Sequence, residues 1–456
     1  MKTGRLAGRI LRQVSRMKKK TVVITALCLV LISMFLTGCL KKGSGRGSNA
    51  PDSGGSIGSG DADNGVDMYE GQIDEEEQDY SLKVIEMDKQ EQDEALGKLY
   101  AFMESCRDIY ERRISAGDRR PESGGHAVDG TVDTGGADED ALHEMVKTGG
   151  ANGLSVTCGN RDYNLTNYGQ VDQALRDALA GKDAKTEIYQ VNTALVFRYY
   201  HLAFSDNELV VTSVGAIFGE GMEPALQQLE KIRAYRWEYT EKGWLIWEKA
   251  LSRNQEMDMH IFCRVLPLEE QCRDIAREYI VPVSYFCNNL FLTDWDMSCM
   301  EKIEFNDLYE FLYAKETGKR PDEETYRDGI PKQEFEDIIG RYFDIPAGRL
   351  EQFARYDSGT GRYPWIPIGI PNRVRQLQPS FPEVVRCTEN GDGTVTAFVE
   401  AVSTEEGLDC YYAHEVALRR REDGRYLYAG NRVDREHSFC VPAYRARREF
   451  EGTKTE

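Results

Sequence analysis

Beyond residue 40 the chain carries nine cysteines, Cys106, Cys158, Cys263, Cys272, Cys287, Cys299, Cys387, Cys410 and Cys440. Thiols form disulfides, hold soft metals or act as nucleophiles, so these come first. Nine is odd, which excludes complete pairing within one chain, and none stand at the C-x-x-C spacing of a structural zinc or a redox dithiol. Most are expected as small buried hydrophobes. One or two bridges stay open, with Cys263 to Cys272 and Cys287 to Cys299 as the local pairs. The six histidines never fall at H-x-x-x-H spacing. Met257, Asp258, Met259 and His260, with Met297, Cys299 and Met300, would offer thioether and imidazole donors suited to copper. Without clustered ligand spacing, no metal and no cofactor is expected. Gly54-Gly55-Ser56-Ile57-Gly58 fits the G-x-S-x-G pattern, but that pattern exposes a nucleophile only on a strand-to-helix turn. Neither a strand nor a helix is expected around it. No phosphate-cradling glycine loop occurs, so nucleotide binding has no support. Carboxylate pairs abound, Asp294 and Asp296 among them, yet glycoside hydrolysis needs two held across a sugar at a defined separation, which one dimension does not reveal.

The aromatic residues are more specific. Tyr235, Trp237 and Tyr239 alternate onto one face of an expected strand, with Trp244 and Trp247 close by. Such a face can stack on sugar rings or on a partner peptide, or it can pack inside the fold. These five residues are the candidate binding surface.

Charge narrows the partners. The first 38 residues hold eight basic side chains and no acid, leaving 49 basic and 77 acidic groups in the other 418, a charge of −28. A chain so acidic is repelled by nucleic acid and by anionic lipid, and Arg419, Arg420 and Arg421 with Arg445, Arg447 and Arg448 are too local to reverse this. With 41% hydrophobic and 29% charged residues, a polytopic membrane protein, a collagen-like chain and a wholly disordered one are excluded.

At the amino end, Lys18, Lys19 and Lys20 precede an apolar run of 16 residues, Thr21 to Leu36, and then Leu36-Thr37-Gly38-Cys39. The run is shorter than the roughly 20 residues a spanning helix needs, and it has the proportions of a cleaved secretory leader. This segment resembles the lipobox of bacterial lipoproteins. The resemblance implies cleavage behind Gly38, a diacylglycerol thioether on Cys39, and a protein held on the extracytoplasmic face of the cell membrane, since two acyl chains anchor where one does so only marginally. Met17 would begin a compact leader of ordinary size, so the start lies at Met1 or Met17. Residues 39–80 are rich in Gly, Ser and Asp and cannot bury enough apolar surface to fold. They form a tether with a span of roughly 35 Å.

The remainder reads as two domains, 81–265 and 266–456, of α+β class with helices packed on antiparallel sheets. Ser81 to about Ser115 is expected as one helix, and residues 117–153 as a Gly-rich excursion. A helix follows at Val171 to Ala180, then strands Glu187 to Phe204 and Glu208 to Phe218, a helix at Glu223 to Lys231, and a hairpin at Ala234 to Thr240 and Trp244 to Leu251. Leu268 to Phe353 is mostly helical, with Phe335, Ile338, Ile339 and Tyr342 on one face. Strands return at Thr394 to Val402, Ala413 to Arg420 and Arg425 to Val433. The hairpins at Tyr235 to Trp247 and His414 to Tyr428 share a layout, which suggests a duplicated domain similar to NTF2-like or cystatin-like folds. From Leu268 onward the chain resembles an uncharacterised group of Gram-positive, clostridial-type lipoproteins through Tyr279-Ile280-Val281-Pro282, Asn288-Asn289-Leu290-Phe291, Arg341-Tyr342-Phe343-Asp344-Ile345, Pro382-Glu383-Val384-Val385 and Asp392-Gly393-Thr394. That resemblance implies no catalytic residues. The expected function is non-enzymatic binding of an envelope protein or wall glycan, the alternative being a hydrolase of wall polymers or peptides with an unmarked carboxylate pair.

Overall fold

The computed structural model describes residues 81–115, 139–158, 164–250, 260–346, 348–369 and 380–448. Cys39, the leader, the tether and Met257 to Met259 lie outside them. The chain is α+β, as expected. It begins with β1 (Lys83–Val84), α1 (Lys89–Ser105), α2 (Arg107–Ser115), α3 (Glu139–Ala151), β2 (Val156–Thr157) and α4 (Tyr168–Leu179). The single helix expected over 81–115 is two helices, interrupted at Cys106 and preceded by β1. Asp88 starts α1 through a reciprocal capping box with Glu91, satisfying two backbone donors that the first turn leaves open.

Strands follow: β3 (Ala184–Val191), β4 (Phe197–Ser205), β5 (Glu208–Phe218) and β6 (Pro224–Arg233). With β1 and β2 they form a six-stranded sheet of order β1-β6-β5-β4-β3-β2, antiparallel except for β2 beside β3. Both faces are covered. Tyr189, Val191, Phe197, Tyr199, Val214 and Phe218 pack under α1, α2 and α3, while Ile188, Leu202, Phe204, Leu209 and Val211 pack on the other side with α4.

On that second face lies a smaller sheet, β7 (Arg236–Tyr239), β8 (Trp244–Glu248) and β9 (His260–Arg264), in that order. Its two sides have different neighbours. Tyr239, Leu245 and Trp247 join the core under β3 to β5, and Trp244, Ile246 and Phe262 meet Phe381 and Val402.

The second half starts with α5 (Glu270–Ile275), prolonged by a wider helical turn over Ala276–Ile280. Then come β10 (Trp295–Asp296), α6 (Phe305–Thr317), β11 (Ile330–Pro331), α7 (Lys332–Ile339), α8 (Leu350–Phe353) and β12 (Arg362–Tyr363). The chain closes with β13 (Ser380–Glu389), β14 (Thr394–Ser403), β15 (Leu408–Arg420) and β16 (Tyr426–Val433), forming with β10 a five-stranded sheet of order β10-β16-β15-β14-β13. Val395, Ala397, Val399 and Ala401 point into a core shared with α5, α6 and α7. The stripe of Phe335, Ile338, Ile339 and Tyr342 is buried there.

Between the small sheet and β13 stands a charged contact. Arg264 Nη1 donates to Glu383 Oε2 at 2.7 Å and Trp244 Nε1 donates to it at 3.1 Å. Burial pushes the Glu383 carboxyl above its ordinary range, partly countered by Arg264. Lys242, at the β7–β8 turn, reaches Glu400 on β14. The two look-alike hairpins thus sit in unlike settings: β7–β8 belongs to the three-stranded sheet, β15–β16 to the five-stranded one.

Two further expectations fail for physical reasons. Glu223 to Lys231 is not a helix but most of β6, paired with β5 from Val210↔Arg233 to Phe218↔Pro224. The Gln- and Glu-rich segment favours helix intrinsically, and the ladder outweighs that preference. Glu139–Ala151, inside the expected excursion, is a helix with Leu142, Met145 and Val146 buried. Its two glycines mislead because they serve packing. A side-chain carbon at Gly149 would come within 2.5 Å of Val156 and 2.9 Å of Phe102, and one at Gly150 within 2.9 Å of Thr166.

Candidate functional site

The site is built at the start of α6. Asn289 fixes the approach: its side-chain amide donates to Lys302 O at 2.8 Å and its carbonyl accepts the Glu304 N–H at 2.9 Å. One residue into the helix, Asn306 does the same for a distant strand. Its Nδ2 donates to Arg355 O at 3.2 Å and Pro364 O at 2.7 Å, and its Oδ1 accepts Arg355 N–H at 3.0 Å. A single buried amide therefore pins both ends of the 355–364 segment beside the helix.

Asp307, next in sequence, is held from the carboxyl end of the chain. Arg447 is 1% exposed, and its Nε donates to Asp307 Oδ1 at 3.2 Å, its Nη1 to Glu310 Oε2 at 2.6 Å and to Ile366 O at 2.9 Å, and its Nη2 to Asp307 O. The Arg447 N–H and the Tyr444 hydroxyl both donate to Asp307 Oδ2, at 3.0 and 2.5 Å. Burial alone would lower the Arg447 pKa, but Asp307 and Glu310 more than offset it. The guanidinium stays charged. Tyr444 is pushed well above the ordinary tyrosine range by burial and by Asp307, so it remains a donor.

Around this floor lies a cleft of about 330 Å³, within the size of small-ligand sites. Four arginines line it: Arg327, Arg355, Arg362 and Arg448. Arg362 Nη1 is tied to Gly329 O at 2.8 Å, and Arg448 Nη2 lies 3.4 Å from Glu304 Oε1. The exposed guanidiniums of Arg327 and Arg355 have no hydrogen bond or ion pair among the described residues. Gly329 lets the floor close: at φ +90° it is in the region that favours glycine, and a side-chain carbon there would come within 2.8 Å of Tyr363 O. Of the lining acids, Asp307 is committed to Arg447 and Tyr444. Hydrogen bonds from Thr360 and the Gly359 N–H hold the Asp357 carboxyl below its usual range. Asp328, also on the lining, has no hydrogen bond or ion pair among the described residues, so what remains unsatisfied is two guanidiniums and one carboxylate, and the guanidiniums are suited to a carboxylate or another oxyanion. A second hollow of about 440 Å³ runs along α1 past Asp93, Lys98 and Asn152, but its lysine is already within 3.2 Å of Glu187.

The five aromatic candidates lie elsewhere. Tyr235 is 45% exposed, while Tyr239, Trp244 and Trp247 are buried and Trp237 is half-buried. Trp247 packs edge-on against Tyr200, Trp237 packs against Phe204 and donates to Asn207 O at 3.0 Å, and the Tyr239 hydroxyl donates to Asp172 at 2.6 Å. Trp244 points to the other side of the sheet, against Phe381. The structure therefore brings Trp237, Tyr239 and Trp247 together beneath the six-stranded sheet and separates Trp244 from them. No group of three or more His, Cys, Asp and Glu among the described residues is arranged to hold a metal ion. His260 lies instead 3.2 Å from Arg236. No helix of the described residues is long and apolar enough to cross a membrane.

The model of a family of unknown function, DUF6070, matches residues 92–447. The chain belongs to that family. No curated protein and no solved structure matches the chain. The DUF6070 span takes in Asn306, Asp307, Glu310, Arg355 and Arg447, the whole of the pinned floor, and ends one residue before Arg448. It covers all five aromatic residues and leaves out Cys39.

Proposed function

We propose that this DUF6070 protein is anchored through a lipid on Cys39 at the extracytoplasmic face of the cell membrane and binds an acidic group of an envelope component, a peptide or a wall glycan. The anchor rests on the order of basic run, short apolar core and Leu36-Thr37-Gly38-Cys39. The binding role rests on one observation: a cleft over a buried, ion-paired floor, with the Arg327 and Arg355 guanidiniums on its lining unsatisfied. An unpaired guanidinium offers a planar fork that can grip a carboxylate bidentately. The geometry favours binding over hydrolysis because Asp307, Asp357 and Glu304 are engaged by Arg447, by the Asp357 turn and by Arg448, which leaves Asp328 as a single unengaged carboxylate among the described lining residues where glycoside hydrolysis needs a pair.

The two parts are tested separately. Cys39→Ser is expected to move the protein from the membrane fraction to the soluble fraction; retention in membranes would sink the anchor. Soluble wall-peptide fragments, titrated calorimetrically into the purified protein, are expected to bind about 10- to 100-fold more weakly to Arg355→Glu, the worth of one charged hydrogen bond. Equal heats for the two proteins would remove the cleft from the function while leaving the anchor untouched.

A further inference from the structure

Cys272 lies on the inner side of α5 and is 1% exposed, while Cys387 stands half-buried near the outer end of β13. Their sulfurs are 3.4 Å apart across 115 residues of sequence. The local pairing of Cys263 with Cys272 expected from spacing is not the one the structure presents, because the sulfur that Cys272 touches belongs to Cys387. A disulfide has its sulfurs at about 2.05 Å, so closing the pair takes a small side-chain rotation on two elements already packed together. β13 is the outermost strand of its sheet, and an edge strand gains most from a tether, since nothing pairs with its free side.

We propose that Cys272 and Cys387 are a disulfide site, oxidised by exchange with an external disulfide, which staples α5 to the edge strand of the five-stranded sheet. The Cys387 thiolate, the one reachable from outside, attacks a sulfur of R–S–S–R. The new mixed disulfide releases RS⁻. The Cys272 thiolate then attacks the Cys387 sulfur and expels the second RS⁻. Two protein thiols give up two protons and two electrons, and the external disulfide leaves as two thiols. The reagent is a low-molecular-weight disulfide or the disulfide of an oxidoreductase, the chemistry being the same. An extracytoplasmic address would favour the oxidised form, but closure of the pair does not rest on that address. The loop so formed spans the whole arginine cleft except Arg448, and shortening the unfolded chain by such a loop favours the folded state about 30-fold or more.

The full chain, reduced and then exposed to oxidised glutathione, is expected to lose two titratable thiols and to yield a peptide joining Cys272 to Cys387. Its urea midpoint should rise on oxidation and fall back on reduction. Cys387→Ser, changed at the half-buried position, should retain its remaining thiols and show no redox-dependent midpoint. A bridge between other cysteines, a stable glutathione adduct on Cys387, or an unchanged thiol count in the folded wild-type protein would each overturn the proposal. The wild-type peptide map decides even if a variant does not fold.

Discussion

Replacing Arg447 by methionine is expected to destabilise the protein by about 3–5 kcal/mol, the usual result of removing one partner from a buried ion group. The methionine fills much of the volume, so the loss is not chiefly a cavity. It is the charge left behind: Asp307 and Glu310 are 7% and 4% exposed, and without the guanidinium two carboxylates share a site with little water. Tyr444 still donates to one Asp307 oxygen at 2.5 Å, which supports one charge and not both. Urea unfolding at neutral pH gives the number, with Arg420→Met, exposed on β15, as a control expected within about 0.5 kcal/mol of wild type. The triple variant Arg447→Met, Asp307→Asn, Glu310→Gln should recover a large part of the loss, because it removes the repulsion along with the cation. A loss below about 1 kcal/mol in the single variant would mean that the guanidinium is not what holds the two acids, and that the cluster does not organise the cleft floor.

This network shows where the sequence is legible and where it is not. Strands announced by apolar alternation and turn residues, such as Thr394–Ser403 after Asn390 to Gly393 and Glu208–Phe218 after Asp206-Asn207, stand where they are expected. Local grammar suffices when the neighbour in space is the neighbour in sequence. It fails for β6, whose helix-forming residues are overruled by a partner strand, and for β13, whose Pro382 and Arg386 hide a strand that a hairpin with β14 nonetheless secures. The cleft is a stronger case. Arg447 sits in a run of arginines that reads as surface charge, and nothing near it in the chain says otherwise. The visible clue is on the other partner: Asp307 and Glu310 stand one turn apart inside Phe305 to Leu312, a stretch that is otherwise apolar or aromatic apart from Asn306 and is buried except for the half-buried Phe311. Two acids on a buried helix require a cation from somewhere. Sequence gives that requirement but not the residue that meets it, and Arg355 is placed only by the Asn306 amide 49 residues away. The aromatic strand face is a different case. Trp237, Tyr239 and Trp247 do share one surface, whereas Tyr235 is exposed and Trp244 faces the other way, and the side chains that cover the three, Tyr200 and Phe204 on β4, come from a separate sheet.

Acid is expected to unfold the protein earlier than its surface charges would suggest, and a single histidine accounts for much of it. His414 is wholly buried, and burial drives its pKa down to about 3, with Asn431 pulling weakly the other way. Its hydrogen bonds fix the neutral tautomer. Asn431 spends its amide hydrogens on Phe291 O and Thr293 O, so its Oδ1, 2.8 Å from His414 Nδ1, is the acceptor. Nδ1 therefore carries the proton, and Nε2 accepts from the Tyr285 hydroxyl at 3.0 Å. The ring is packed among Tyr285, Phe291 and Tyr412, and none of these can balance an imidazolium. The sign follows directly. Between an unfolded pKa near 6.5 and a folded one near 3, the unfolded chain binds the proton and the folded one does not, so stability falls as pH falls through that window and is unaffected above it. The slope approaches about 1.4 kcal/mol per pH unit, or roughly 2 kcal/mol by pH 5. Asp172, Glu316 and Asp434, kept below the usual carboxylate range by their partners against the effect of burial, add a loss of the same sign only near pH 4 and below. Glu383, raised by burial, works in the opposite direction, since its folded form takes up a proton more readily than the unfolded one. The His414 contribution is isolated by His414→Gln, which can still donate to Asn431 and accept from Tyr285. Urea midpoints measured from pH 7 to pH 5 should drop steeply in the wild type and clearly less in the variant, where His201 and His143, also lowered chiefly by burial, still contribute; parallel slopes would assign the acid sensitivity to other groups and leave His414 a neutral packing residue.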